Sequence, residues 1–120
     1  MATGDSNVKT QKIAPYPFPI TLQIDGKFIS EKVLKLGQSG AIIEAKGLIY
    51  SVGMNFPVSF EIPVFKTQLS LSAKVVKTYD RALVKEKAVQ RLAELLFLNL
   101  TSEQAKQIQK FLVKIGQVKS

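Results

Sequence analysis

Lys35-Leu36-Gly37-Gln38-Ser39-Gly40-Ala41-Ile42-Ile43 is the stretch of this chain best suited to holding an anion. Gly37 and Gly40 permit positive φ and let main-chain N–H groups face outward, which is how a turn cradles a phosphate. The planar side chains that read phosphates and purine edges best are missing from it, since the only arginines are Arg81 and Arg91. The plainer expectation is a β-turn between two strands, where glycines are ordinary.

Composition excludes most other chemistry. With no cysteine and no histidine, the chain has no thiol nucleophile, no imidazole base, no disulfide and few ways to bind a transition metal. Nine acids are scattered, and no two fall in a motif for a carboxylate pair or an oxygen-ligand metal loop. The chain therefore reads as a non-enzyme without a metal. The net charge of +8, mostly lysine, admits an anionic partner, although lysine spread along a chain is more often a solubility feature. No apolar run approaches the roughly 20 residues needed to cross a bilayer, and no apolar signal segment opens the chain, so a cytoplasmic location is expected.

At 120 residues and 46% apolar content, one domain with its own core is expected. Residues 1–13 are polar and without period, and read as a flexible basic arm. The prolines Pro15, Pro17 and Pro19 then hold the chain extended. From Phe18, apolar residues alternate through Ile20, Leu22 and Ile24, the pattern of a half-buried strand. Asp25-Gly26 signals a hairpin, and Phe28 to Leu36 returns as its partner. Ala41–Ala45, Phe56–Ile62 and Leu69–Val75 read as further strands, which together argue an antiparallel barrel or sandwich. Ala88 to Leu96 scores as helix by propensity, yet its apolar end suits a buried strand equally well. Thr101 and Gln104 have capping-box spacing, Ala105, Ile108, Phe111, Leu112 and Ile115 form a helical stripe, and Gly116 stands as a C′ residue. A helix over Ser102–Ile115, docked on the barrel, is predicted.

This order of parts resembles the PilZ domain, a small β-barrel family that includes bacterial receptors for cyclic di-GMP. Leu36-Gly37-Gln38-Ser39-Gly40-Ala41-Ile42-Ile43 lies where the family has its turn, and Val52-Gly53-Met54 leads into Phe56 to Pro63. Leu71-Ser72-Ala73-Lys74-Val75-Val76 looks like the family's apolar-x-Ala-x-Val strand, and Leu95 to Thr101 with Phe111-Leu112 like its closing strand and helix. The resemblance spans Lys9 to Val113 and implies a mainly β fold: a single antiparallel split barrel over 14–116 with a C-terminal helix packed on it, and a short tail at 117–120.

The family's ligand motifs are an arginine-rich RxxxR before the first strand and a [D/N]xSxxG turn. Aligned on Gly40, the acidic or amide position falls on Lys35 and the serine on Gly37. The arm offers no arginine, and Lys9 and Lys12 stand three apart instead of four. The resemblance therefore implies a degenerate member without a cofactor, in which cyclic di-GMP binding is weak or absent and regulation of motility, pili or surface behaviour runs through a protein partner or a homodimer. Candidate contact surfaces are the proline segment with Tyr16, Leu48 to Tyr50, and any undocked part of the helix. One alternative keeps a receptor, with Lys9, Lys12, Lys35 and the N–H groups of Gly37, Gln38, Ser39 and Gly40 on the phosphates. Another is a small basic barrel for single-stranded nucleic acid, against which most Phe positions face inward along the strands.

Overall fold

A computed structural model describes residues 17–116. The N-terminal arm with Lys9, Lys12 and Tyr16, and the tail at 117–120, lie outside the described residues. Six strands follow in order: β1 (Phe18–Ile24), β2 (Lys27–Leu36), β3 (Gly40–Glu44), β4 (Asn55–Ile62), β5 (Thr67–Leu83) and β6 (Ala88–Leu98). A single helix, α1 (Ser102–Lys114), closes the described chain.

The strands pair antiparallel into a closed barrel in the order β1-β2-β3-β6-β5-β4. Asp25 and Gly26 both take positive φ, 53° and 76°, which matches the right-handed twist of β1 and β2 across a two-residue turn. The barrel closes where β1 meets β4 through the register pairs Thr21↔Ser59 and Leu22↔Val58. Inward positions alternate as the sequence pattern requires: Phe18, Ile20 and Leu22 from β1 meet Phe56, Val58, Phe60 and Ile62 from β4. Phe60 packs against Phe18 and Phe97 with ring centroids 5.9 Å away in each case, so truncating it would cost about 3–5 kcal/mol.

The segment left open by sequence, Ala88 to Leu96, is strand. Helix propensity is worth only tenths of a kcal/mol per residue, whereas here β3 flanks one edge and β5 the other, and Ala93, Leu95 and Phe97 enter the core. β5 is much longer than the Leu69–Val75 segment that its alternation marks. A bulge between Val75 and Lys77 resets its parity, and beyond it the strand leaves the core.

The predicted capping box is present. Thr101 Oγ1 accepts from the Gln104 N–H at 3.0 Å, and Gln104 Oε1 accepts from the Thr101 N–H at 3.1 Å. Ile108, Phe111 and Leu112 are buried against the barrel, with Phe111 edge-on to Phe18 at 6.5 Å, while Ala105 remains exposed and so falls outside the docked stripe. Among the described residues no helix is long and apolar enough to cross a membrane.

Candidate functional site

The turn between β2 and β3 brings Lys35, Gly37, Gln38, Ser39 and Gly40 to the edge of one groove of about 320 Å³. Its conformation is that of the plainer turn and not of a positive-φ cradle: neither Gly37 nor Gly40 takes positive φ. The Gly37 N–H donates to the Gly40 carbonyl at 2.8 Å, and the Ser39 carbonyl accepts from the Phe97 N–H at 2.8 Å. One of the supposed anion donors is thus spent within the turn. Gly40 is needed for close approach instead, since a Cβ there would collide with the Leu95 carbonyl oxygen of the neighbouring strand. The turn is also tied to the helix, because Gln38 Nε2 donates to Gln109 Oε1 at 2.8 Å.

The far wall of the groove comes from β5 and β6. In register, Lys35 lies opposite Ile42, Ile42 opposite Glu94, and Glu94 opposite Lys77, so these four share one outward face of the sheet. Val76 and Leu96 line the same groove and are 42% and 39% exposed. The groove therefore joins exposed apolar area to a half-buried carboxylate and a lysine. A carboxylate there opposes a phosphate, and its partner strand was not legible in the sequence because the β3–β6 register is set by tertiary pairing. Lys9 and Lys12, the other candidate ligand residues, lie outside the described residues.

A second polar cluster escaped sequence reasoning altogether. Glu31, in β2, is 4% exposed and holds the connector between β3 and β4. Its Oε1 accepts from the Lys46 N–H at 3.0 Å, and its Oε2 accepts from the Gly47 N–H at 2.8 Å and the Tyr50 hydroxyl at 2.7 Å. Burial, and after it the bond to Glu31 and that carboxylate's charge, push the Tyr50 hydroxyl far above its ordinary value. Three donors on one buried carboxylate make a structural latch. The usable signal was Glu31's place between Ile29 and Val33 on the inward parity of its strand. The latch also corrects the expected contact surface at Leu48 to Tyr50: Tyr50 is buried and packs on Phe56, and of the three only Ile49 stands well exposed, at 72%.

No protein-family model and no curated protein matches this sequence. Solved structures do. The chain is similar to the PilZ domain with c-di-GMP of YcgR from Escherichia coli, with a TM-score of 0.71 and 15% identity over 83% of this chain and 82% of that one. It is also similar to the Bacillus subtilis inhibitor of motility, MotI/DgrA, with a TM-score of 0.70 and 14% identity over 89% of this chain and 51% of that one. It thus spans about half the length of the Bacillus protein. At such identities the likeness carries architecture alone, and the six-stranded antiparallel barrel with its C-terminal helix is a PilZ-like fold.

Proposed function

We propose that this chain is a non-catalytic PilZ-like signalling module of the bacterial cytoplasm, which acts mainly by protein contact in cyclic di-GMP-linked control of motility or surface behaviour. The observation that carries this reading is the groove beside the Gly37–Gly40 turn. The resemblance puts the family's turn there and Lys35 where an acceptor for guanine is expected, while the Gly37 N–H is bonded within the turn and Glu94 lines the far wall. Lysine offers a guanine only more donors, and an unpaired donor on burial costs about 1–3 kcal/mol, roughly tenfold or more in affinity. The exposed Val76 and Leu96 suit a protein surface better than a cyclic dinucleotide with two phosphodiesters. The likeness to an inhibitor of motility is consistent with the process named.

Calorimetric titration of the whole chain with cyclic di-GMP tests the reading. No saturable heat is expected in the micromolar range. Sub-micromolar binding that disappears in Lys9→Ala or Lys12→Ala would replace the adaptor with a lysine-based receptor, and its affinity would fall steeply with salt because point charges would carry it.

A further inference from the structure

β5 is paired on both sides only along its first part. It lies against β4 from Thr67 to Lys74, and two more main-chain bonds, Gly53 N–H to Val75 O and Val75 N–H to Met54 O, extend that contact. Beyond the bulge, Lys77 to Leu83 has β6 on one side and, among the described residues, no strand on the other. The two strands continue past the barrel as a ribbon that ends in Val84-Lys85-Glu86-Lys87. A two-stranded ribbon is marginal in water, and its outer edge offers a row of unused N–H and C=O groups.

The residues on this ribbon are those of a contact surface. Both arginines of the chain are here, Arg81 hydrogen-bonded to Gln90 and Arg91 3.6 Å from Asp80 across the two strands. Tyr79 shares the face of Lys77 and Arg81, with the Lys77 ammonium 5.2 Å from its ring centre, while Arg91 lies on the opposite face with Asp80. Val84 and Val89 are 84% and 68% exposed. Tyr and Arg are the side chains that most often dominate binding energy. At the ribbon's base the β3–β4 connector crosses from the β6 edge, through the Ala45 N–H on the Arg91 carbonyl, to the β5 edge at Gly53. A cavity of about 260 Å³ opens at that crossing between Ile49, Tyr79 and Arg91, large enough for one apolar side chain.

Charge selects the occupant. From Lys77 to Arg91 five cations face two acids, so a second copy of this chain would be repelled, and antiparallel pairing about Asp80 would set that acid against itself. Cations on an exposed edge blunt self-pairing and admit a strand of opposite sign. We infer that the Lys77–Leu83 edge of β5 takes up an extended acidic segment of a partner protein as an added strand, with acids on Lys77 and Arg81 along one face and, on the other face, an apolar residue in the cavity beside Ile49. This rests on the adaptor reading and names its surface and the chemistry of its partner.

The test uses two blocked peptides, Glu-Val-Glu-Val-Glu-Val-Glu and its lysine counterpart, titrated into the full chain and followed by backbone amide NMR. The acidic peptide is expected to shift the Lys77–Leu83 amides saturably, more than the lysine peptide does. The response should fall about tenfold in affinity in Arg81→Glu and vanish near 1 M salt, where the Debye length is about 3 Å. Arg81 is exposed, so this variant keeps the fold, which its own spectrum verifies. Equal response to both peptides, no shift at millimolar peptide, or self-association of the chain through Lys77–Leu83 in sedimentation would overturn the inference. Shifts confined to α1 or to the turn groove would overturn it while leaving the adaptor reading in place; that reading fails only in the cyclic di-GMP titration.

Discussion

At the residue scale, the most exacting site in the fold is the buried carboxylate of Glu31 with its three donors. Gly47 is glycine because a Cβ would lie 2.6 Å from Ile29 Cγ2 and 3.2 Å from Glu31 Oε2, so the connector can reach the carboxylate only without a side chain there. Tyr50→Phe removes one donor from a buried acceptor and is expected to cost about 1–3 kcal/mol in a urea unfolding curve at neutral pH. The cost has a pH dependence of known sign. Below about pH 10 the Tyr50 hydroxyl is protonated in the folded and unfolded chain alike. Above it the unfolded chain releases that proton while the folded chain, with its value pushed up by burial, keeps it. The unfolded state then binds fewer protons, so stability falls as pH rises, and only in the protein that has Tyr50. The gap between wild type and Tyr50→Phe should therefore stay constant up to about pH 9 and narrow as pH rises past about 10. A gap of constant width would mean that Tyr50 ionises as easily folded as unfolded.

At the scale of elements, what the sequence made legible was whatever local chemistry decides. Period two marked β1, β4 and the first part of β5, Asp25-Gly26 marked the first hairpin, and the Thr101–Gln104 spacing marked the start of α1. Ala88 to Leu96 stayed ambiguous because its local preference and its tertiary setting disagree, and two flanking strands outweigh propensity. The distal half of β5 was hidden for another reason: its bulge shifts the alternation by one, and past the barrel no buried face remains to impose any. In the groove, the Lys35–Gly40 turn was legible and Glu94 was not, because only the β3–β6 register places the latter there. The helix supplies the check on local chemistry. Thr101→Ala should cost about 1 kcal/mol, read as a drop in thermal midpoint, because it orphans the Gln104 N–H. Gln104 also donates through Nε2 to the Ser70 carbonyl on β5 at 3.0 Å, so Gln104→Ala should cost at least as much. Equal midpoints for wild type and Thr101→Ala would show that the docked apolar face alone fixes the helix.

At the scale of the whole molecule, the barrel and the ribbon should differ in how they open. The barrel buries Leu22, Val33, Ile43, Ala73, Val75 and Ala93 at or near 0% exposure, all on strands paired along both edges or closed by the β1–β4 seam. Exchange of their amides requires loss of that shared core, which ties it to global unfolding. The ribbon has one paired edge, two largely exposed faces and only Tyr79 and Leu83 partly covered along Lys77 to Leu83. Its amides from Thr78 to Leu83 and Ala88 to Arg91 can therefore open while the barrel stays closed. Native-state hydrogen exchange on the isolated chain is expected to give two classes: barrel amides that follow the global stability as urea is added, and ribbon amides that exchange faster with little urea dependence, since little surface is uncovered. Adding an acidic strand to the β5 edge should move the ribbon toward the slow class and leave the barrel unchanged. If the ribbon of the isolated chain already exchanges with the barrel, something covers that edge without a partner, and the β5 edge is not available for recognition.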